Sequence, residues 1–190
     1  MLLVEALERL VDIFENRGVP MRQHLRPGLS RADVQTALSP LGLTPPEELY
    51  QLYEWHDGID VVNAPDMLFA EQQFIPLSEA IQEYADLLKY YGEVPTSIDL
   101  SQCFPIASFE GDYSTIYCDT TLVEGLQCPI IGIYHGIAVI YENIERMAQT
   151  VAEWLISGIY DNDDAPVDDD RRYAIRERLN SRIPERNTSL

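Results

Sequence analysis

Apolar residues recur at helical spacing along the first half of the chain, and the period shortens to that of strands after residue 103. Leu3, Leu7, Leu10, Val11 and Phe14 share one helical face, with Gly18 placed to cap the end. Ser30 can cap a short second helix, in which Val34, Ala37, Leu38 and Leu41 recur at i, i+3, i+4 and i+7 before Gly42 stops it. Residues 44–47 read T-P-P-E, a capping box that predicts a third helix starting at Thr44. Steps of about 100° per residue gather Leu49, Leu52, Tyr53, Trp55 and His56 on one broad face turned toward the body. Residues 67–70 and 73–75 predict two short paired strands turning at Glu71 and Gln72, and Ser78 starts a fourth helix with Ile81, Tyr84, Ala85 and Leu88 on one side. "CFPIASF", "YSTIYCD", "PIIGIY" and "IAVIY" then read as four strands, with His135 and Gly136 as a two-residue hairpin loop between the last pair. A closing helix from about Ile144 repeats Met147, Ala148, Val151, Trp154 and Leu155 before Gly158.

Beyond an expected end of the core near Tyr160, "YDNDDAPVDDD" has the composition of a solvated linker. "RRYAIRERLNSR" predicts a final helix, with aspartates before its start and arginines toward its end, as the helix dipole favours. The organisation expected is an N-terminal helix and connector over residues 1–29, one domain over 30–160, and an acidic linker with an arginine-rich tail over 161–190.

Charge changes the picture most. The chain holds 32 acidic and 13 basic residues, a net charge of −19, and residues 161–190 account for 8 of the acidic and 6 of the basic ones. The body therefore carries nearly all of a field that repels nucleic acid and anionic membrane surfaces, so direct binding to either is not expected. The same field speeds encounter with a cationic protein. Glu5, Glu8 and Arg9 interrupt the opening apolar run, unlike the core of a signal peptide, and no later segment resembles a membrane span. Cys103, Cys118 and Cys128 are odd in number and show no CxxC spacing, which points to reduced thiols and a cytoplasmic setting.

The order of elements is distinctive: "LGLTPPEELYQLYEWHDG", a small strand pair, a helix opening "PLSEAI", "FPIASFEGDYSTIYCD", a hairpin and a helix ending "VAEWL". It resembles the SUKH superfamily, which includes yeast-type regulators of cell-wall glucan synthesis and many bacterial immunity proteins. Coverage runs from about Ser30 to Gly158, and departures include the first helix, residues 90–102 and the tail. The resemblance implies a single α+β domain, with a mixed or mainly antiparallel sheet flanked by helices, used to bind proteins. It implies neutralisation of a toxin, commonly a nuclease or deaminase, in bacterial members, and regulation of wall synthesis or signalling in fungal ones. The candidate partner-binding residues are Asp112, Tyr113 and Asp119, surface positions that it suggests, together with Trp55, His56, Asp57 and Gly58, which match its helix-end motif.

Trp55, His56 and Asp57 admit two readings. In one, His56 is a general base oriented by a carboxylate, with His135 or Asp119 supplied from across the sheet. In the other, Trp55 anchors the core, His56 meets the last helical carbonyls, and Asp57 and Gly58 reverse the chain. The second has the stronger physical case, because catalysis needs a nucleophile or metal and the sequence signals neither. Asp57, Asp60, Asp112 and Asp119 can cluster around a cation or each build a turn from its own backbone. Tyr90, Tyr91, Tyr113, Tyr117 and Tyr134 can line either a recognition face or the core. The expectation is a non-enzymatic protein without metal or cofactor, binding a basic partner such as a toxin domain. A regulatory scaffold and a hydrolase built around His56 are the alternatives. The pattern says nothing about oligomeric state.

Overall fold

The computed structural model describes residues 2–60, 67–69, 71–119, 126–134, 136–159 and 168–183. His135, Ala70, the expected core end at Tyr160 and the linker over 161–167 lie outside them. The described residues form an α+β fold of six α-helices and two antiparallel sheets. In chain order the elements are α1 (Leu3–Asn16), β1 (Leu25–Pro27), α2 (Arg31–Leu38), α3 (Glu47–Trp55), β2 (His56–Ile59), β3 (Gln73–Phe74) and α4 (Leu77–Tyr91). There follow β4 (Cys103–Phe109), β5 (Asp112–Tyr117), β6 (Ile130–Ile133), β7 (Ile137–Tyr141), α5 (Ile144–Ile156) and α6 (Asp169–Leu179).

Strands β3 to β7 pair in sequence order as an antiparallel meander, while β1 and β2 make a separate ribbon. Each strand of the meander lies beside its chain neighbour; tight hairpins join β4 to β5 and β6 to β7, whereas the chain runs through α4 between β3 and β4. Between β4 and β5 the turn is Glu110–Gly111, both at positive φ (51° and 93°), with Phe109 paired to Asp112, the geometry whose twist matches a hairpin. Alternation along β5 sends Tyr113 and Tyr117 to a smaller cluster with Leu87, Ile98, Leu100, Ile131 and Ile133, and Ile116 to the main core. The main core joins the apolar faces of α1, α3 and α5. Residues 3–16, ahead of the expected domain start, thus share that core, and Arg17 donates to the Leu155 carbonyl near the end of α5 at 2.7 Å.

Several local expectations need correcting. Helix α3 starts at Glu47 with Pro46 as its N-cap, not at Thr44. Pro46 drives the residue before it out of helical conformations, so the helix cannot begin at the threonine. Helix α4 likewise starts one residue before Ser78, with Pro76 as N-cap. Residues 67–75 do not form a two-strand pair of their own: Phe69 and Gln72 make an isolated bridge, and β3 pairs with β4. The last hairpin pairs Ile133 with Ile137, so its connection is one residue longer than expected.

Candidate functional site

Trp55 ends α3 half-buried, stacks on Phe74 with centroids 6.3 Å apart, and donates from Nε1 to Glu8 Oε1 at 2.6 Å. Burial alone would raise the Glu8 carboxyl. Hydrogen bonds from Trp55 and Arg22, with the charges of Arg22 and His56, bring it below its ordinary value. His56 has left the helix: its φ of −152° and ψ of 150° are extended, and it opens β2. Its Nδ1 lies 2.7 Å from the Arg26 carbonyl on the paired strand, not from a helical carbonyl.

Asp57 and Gly58 are not a chain reversal but the middle of β2. Successive strand residues point to opposite sides, so the Asp57 carboxylate turns away from the His56 ring and cannot orient it. It accepts the Leu77 N–H at 2.8 Å and faces Arg26 at 3.3 Å. Helix α4 has no cap from its own N-cap residue, and Asp57 supplies one from 20 residues upstream. Gly58 has φ +78°, and a Cβ there would stand 2.4 Å from the Pro76 nitrogen. The WHDG stretch thus locks α3, the ribbon and the start of α4 together.

The β5 residues separate. Tyr113 is buried, donates to Glu83 at 2.9 Å and meets Tyr91 edge-on; burial and the Glu83 carboxylate push its phenol well up. Asp112 is exposed at the hairpin, while Asp119 lies two residues beyond the far end of the strand, about 20 Å away at strand rise. Asp57 and Asp60 belong to the ribbon and its edge. The four aspartates therefore do not gather, and among the described residues no group of His, Cys, Asp or Glu could hold a metal ion. The three cysteines are free and buried; burial pushes Cys103 and Cys118 up to about 12 and Cys128 up to about 11, so thiolates are scarce at neutral pH.

A cleft of about 520 Å³ opens instead between the meander, α5 and α6. Phe69, Ile140, Met147 and Trp154 give it an apolar floor, and Gln72 and Ser114 meet in a buried hydrogen bond at its side. Glu71, Glu110, Asp112 and Asp169 set carboxylates around it; Arg172, Tyr173 and Arg176 of α6 form one wall. Of the five tyrosines weighed from sequence, Tyr134 lines this cleft, its phenol raised by burial against the pull of Arg176 and Arg172. Tyr113 and Tyr117 are core, and Tyr90 is exposed. Of the residues that the resemblance suggests for partner binding, Asp112 lies on the cleft. The cleft's other lining residues, from the segment before β3, the hairpins, α5 and α6, share no sequence motif. An apolar floor rimmed by charged side chains suits insertion of a side chain or small group, and its serine is already engaged with Gln72.

Helix α6 sits on the body through polar contacts spread along its length. Arg172 pairs with Glu71 through two bonds of 3.0 Å and lies over the Trp154 ring, whose Nε1 donates to the Arg172 carbonyl. Arg178 meets Glu153 at 3.1 Å. Past the helix end, Glu142 accepts from the Arg182 backbone N–H at 2.8 Å, its Nε at 2.7 Å and its Nη2 at 2.6 Å. Asn180 accepts from the Glu142 N–H and donates to Thr150.

The family model described as SMI1 / KNR4 family (SUKH-1) matches residues 28–157. No curated protein matches the chain. The matched span takes in the meander and all of α5, and leaves α1 and α6 outside it.

Proposed function

The chain belongs to the SMI1 / KNR4 (SUKH-1) family, and from that premise we propose that it is a non-enzymatic protein-binding module whose acidic surface takes up a basic protein partner. The family is consistent with a non-catalytic immunity or regulatory module. The observation that carries the reading is the excess of carboxylates. Of 13 basic residues, Arg22, Arg26, Arg31, Arg172, Arg178 and Arg182 already face carboxylates of the same chain. The uncompensated field toward solvent is therefore negative, and it attracts cationic proteins while repelling polyanions. A toxin domain that acts on nucleic acid fits this charge, because such a domain is basic for its own substrate.

The cytoplasm is the compartment that buried free thiols suit. The geometry at His56 favours binding over hydrolysis, since His56 and Asp57 diverge within β2 and Asp57 is engaged by α4. A regulatory scaffold for wall synthesis or signalling is the second reading, drawn from the same family; it predicts weaker association with less salt dependence.

The test is capture from the source cell at low and high salt, followed by kinetics with the purified partner. The expected result is a stoichiometric basic protein whose association rate falls about tenfold or more between low and high ionic strength. A partner of neutral or acidic charge, or a rate indifferent to salt, would remove the electrostatic basis. Toxicity of the captured protein separates immunity from scaffolding.

A further inference from the structure

Helix α6 is an unusual occupant of the body. Ile175 is its buried apolar residue and Leu179 packs half-buried beside it, while the arginine and asparagine contacts just described run along the helix and just past its end. Arg172, Arg178 and Arg182 meet carboxylates supplied by three separate parts of the body: Glu71 before β3, Glu153 on α5 and Glu142 after β7. Glu142 is the informative one. Its side chain is only 2% exposed, yet it is held by three donors of Arg182, which is itself 58% exposed.

A carboxylate so deeply placed needs a well-matched cation, and the fork of an arginine is the side chain that fits two oxygens at once. The body thus presents an arginine socket whose present filling comes from outside the family-matched residues. Exposed arginine–carboxylate pairs such as Arg178–Glu153 add little each, and the arginine pairs under α6 are ones that another arginine-bearing segment can supply.

Resting on the basic-partner reading above, we infer that the body surface under α6, centred on Glu142, Glu153 and Trp154, is itself the partner's docking surface. It fits an arginine-bearing helix, and α6 is its displaceable occupant in cis. Docked, α6 lowers the apparent affinity for the partner by the fraction of molecules in which it has left the surface. The partner's gain on binding is then set against α6, which suppresses weak basic ligands and admits those that supply the matching arginines.

The experiment uses three full-length proteins: the parent, the variant Arg172→Gln/Arg178→Gln/Arg182→Gln, and a control Arg9→Gln/Arg22→Gln/Arg31→Gln that carries the same net charge. Each is titrated with a fluorescein-labelled peptide having the sequence of residues 168–183, and with a polyarginine peptide, while amide exchange is followed over residues 169–179. The expected result is faster exchange there in the α6 variant and about tenfold tighter binding of the 168–183 peptide than to the charge-matched control. Adding Glu142→Gln to the α6 variant should remove that gain.

Equal binding by variant and control overturns the inference, as does undiminished protection of residues 169–179 in the α6 variant. Should polyarginine bind all three proteins while the 168–183 peptide binds none, the inference fails and the basic-partner reading stands. If polyarginine binds none of them, both fall.

Discussion

At Gly58 two constraints meet: the backbone is left-handed at φ +78°, and the Pro76 nitrogen leaves no room for a Cβ. Gly58→Ala is expected to destabilise by about 2–4 kcal/mol, read as a shift in the urea midpoint, with a near-neutral result showing that α4 can move away. Glu48 ties stability to pH near neutrality. Burial, opposed by the Ile144 N–H and reinforced by Glu145, raises its carboxyl from 4.5 to about 7. Since the folded-state value lies above the unfolded one, the stability tied to its protonated form is complete below about pH 4.5 and is lost as pH rises through about 7. Glu48→Gln keeps an acceptor for Ile144 without the charge, so it should flatten this slope. Urea unfolding should find it more stable than the parent above neutral pH, by up to about 3 kcal/mol. A parent curve matched by the variant at every pH would mean that the carboxyl titrates normally.

Among the elements, α5 has the most at stake, because its buried face joins the main core and its outer side carries α6. Asn143 caps it, accepting the Arg146 N–H at 2.8 Å. Asn143→Ala should cost about 1 kcal/mol, seen as a lowered thermal midpoint, and Asn143→Asp should restore it. Helices α1, α2 and α5 and strands β4 to β7 were legible in the sequence because each carries its own period and its own stop signal. Ser30 does cap α2, and Gly18 and Gly158 do adopt positive φ past α1 and α5. His56 was misplaced for a physical reason: its spacing continues the α3 face, but pairing with β1 draws its backbone into a strand. Residues 67–75 misled similarly, since β3 gains more by joining the sheet edge on β4 than by pairing locally.

For the molecule as a whole, the carboxylate excess dictates how association responds to mutation. Neutralising exposed cleft-edge groups, as in Glu110→Gln/Asp112→Asn, should slow association with the basic partner by about twofold to threefold while stability stays within about 0.5 kcal/mol. His56→Gln should leave the association rate unchanged. Stopped-flow mixing at low salt measures both, and a rate lowered by His56→Gln alone would move the binding surface to the ribbon. The candidate site was the least legible feature: Asp112 and Tyr134 were in view, but the floor of the cleft and the wall from α6 were not.

The chain's own pattern determined which segments become helices and strands, where most of them stop, and the sign of the field around them. Each of those depends on residues within a turn or two of one another, or on a simple sum of charges. Only the tertiary structure decided that Asp57 caps a helix 20 residues away, that Glu142 receives an arginine 40 residues on, and that segments far apart in the chain enclose one cleft. Such meetings are made by packing layers of side chains together, and no local spacing records which distant partner a buried charge will find.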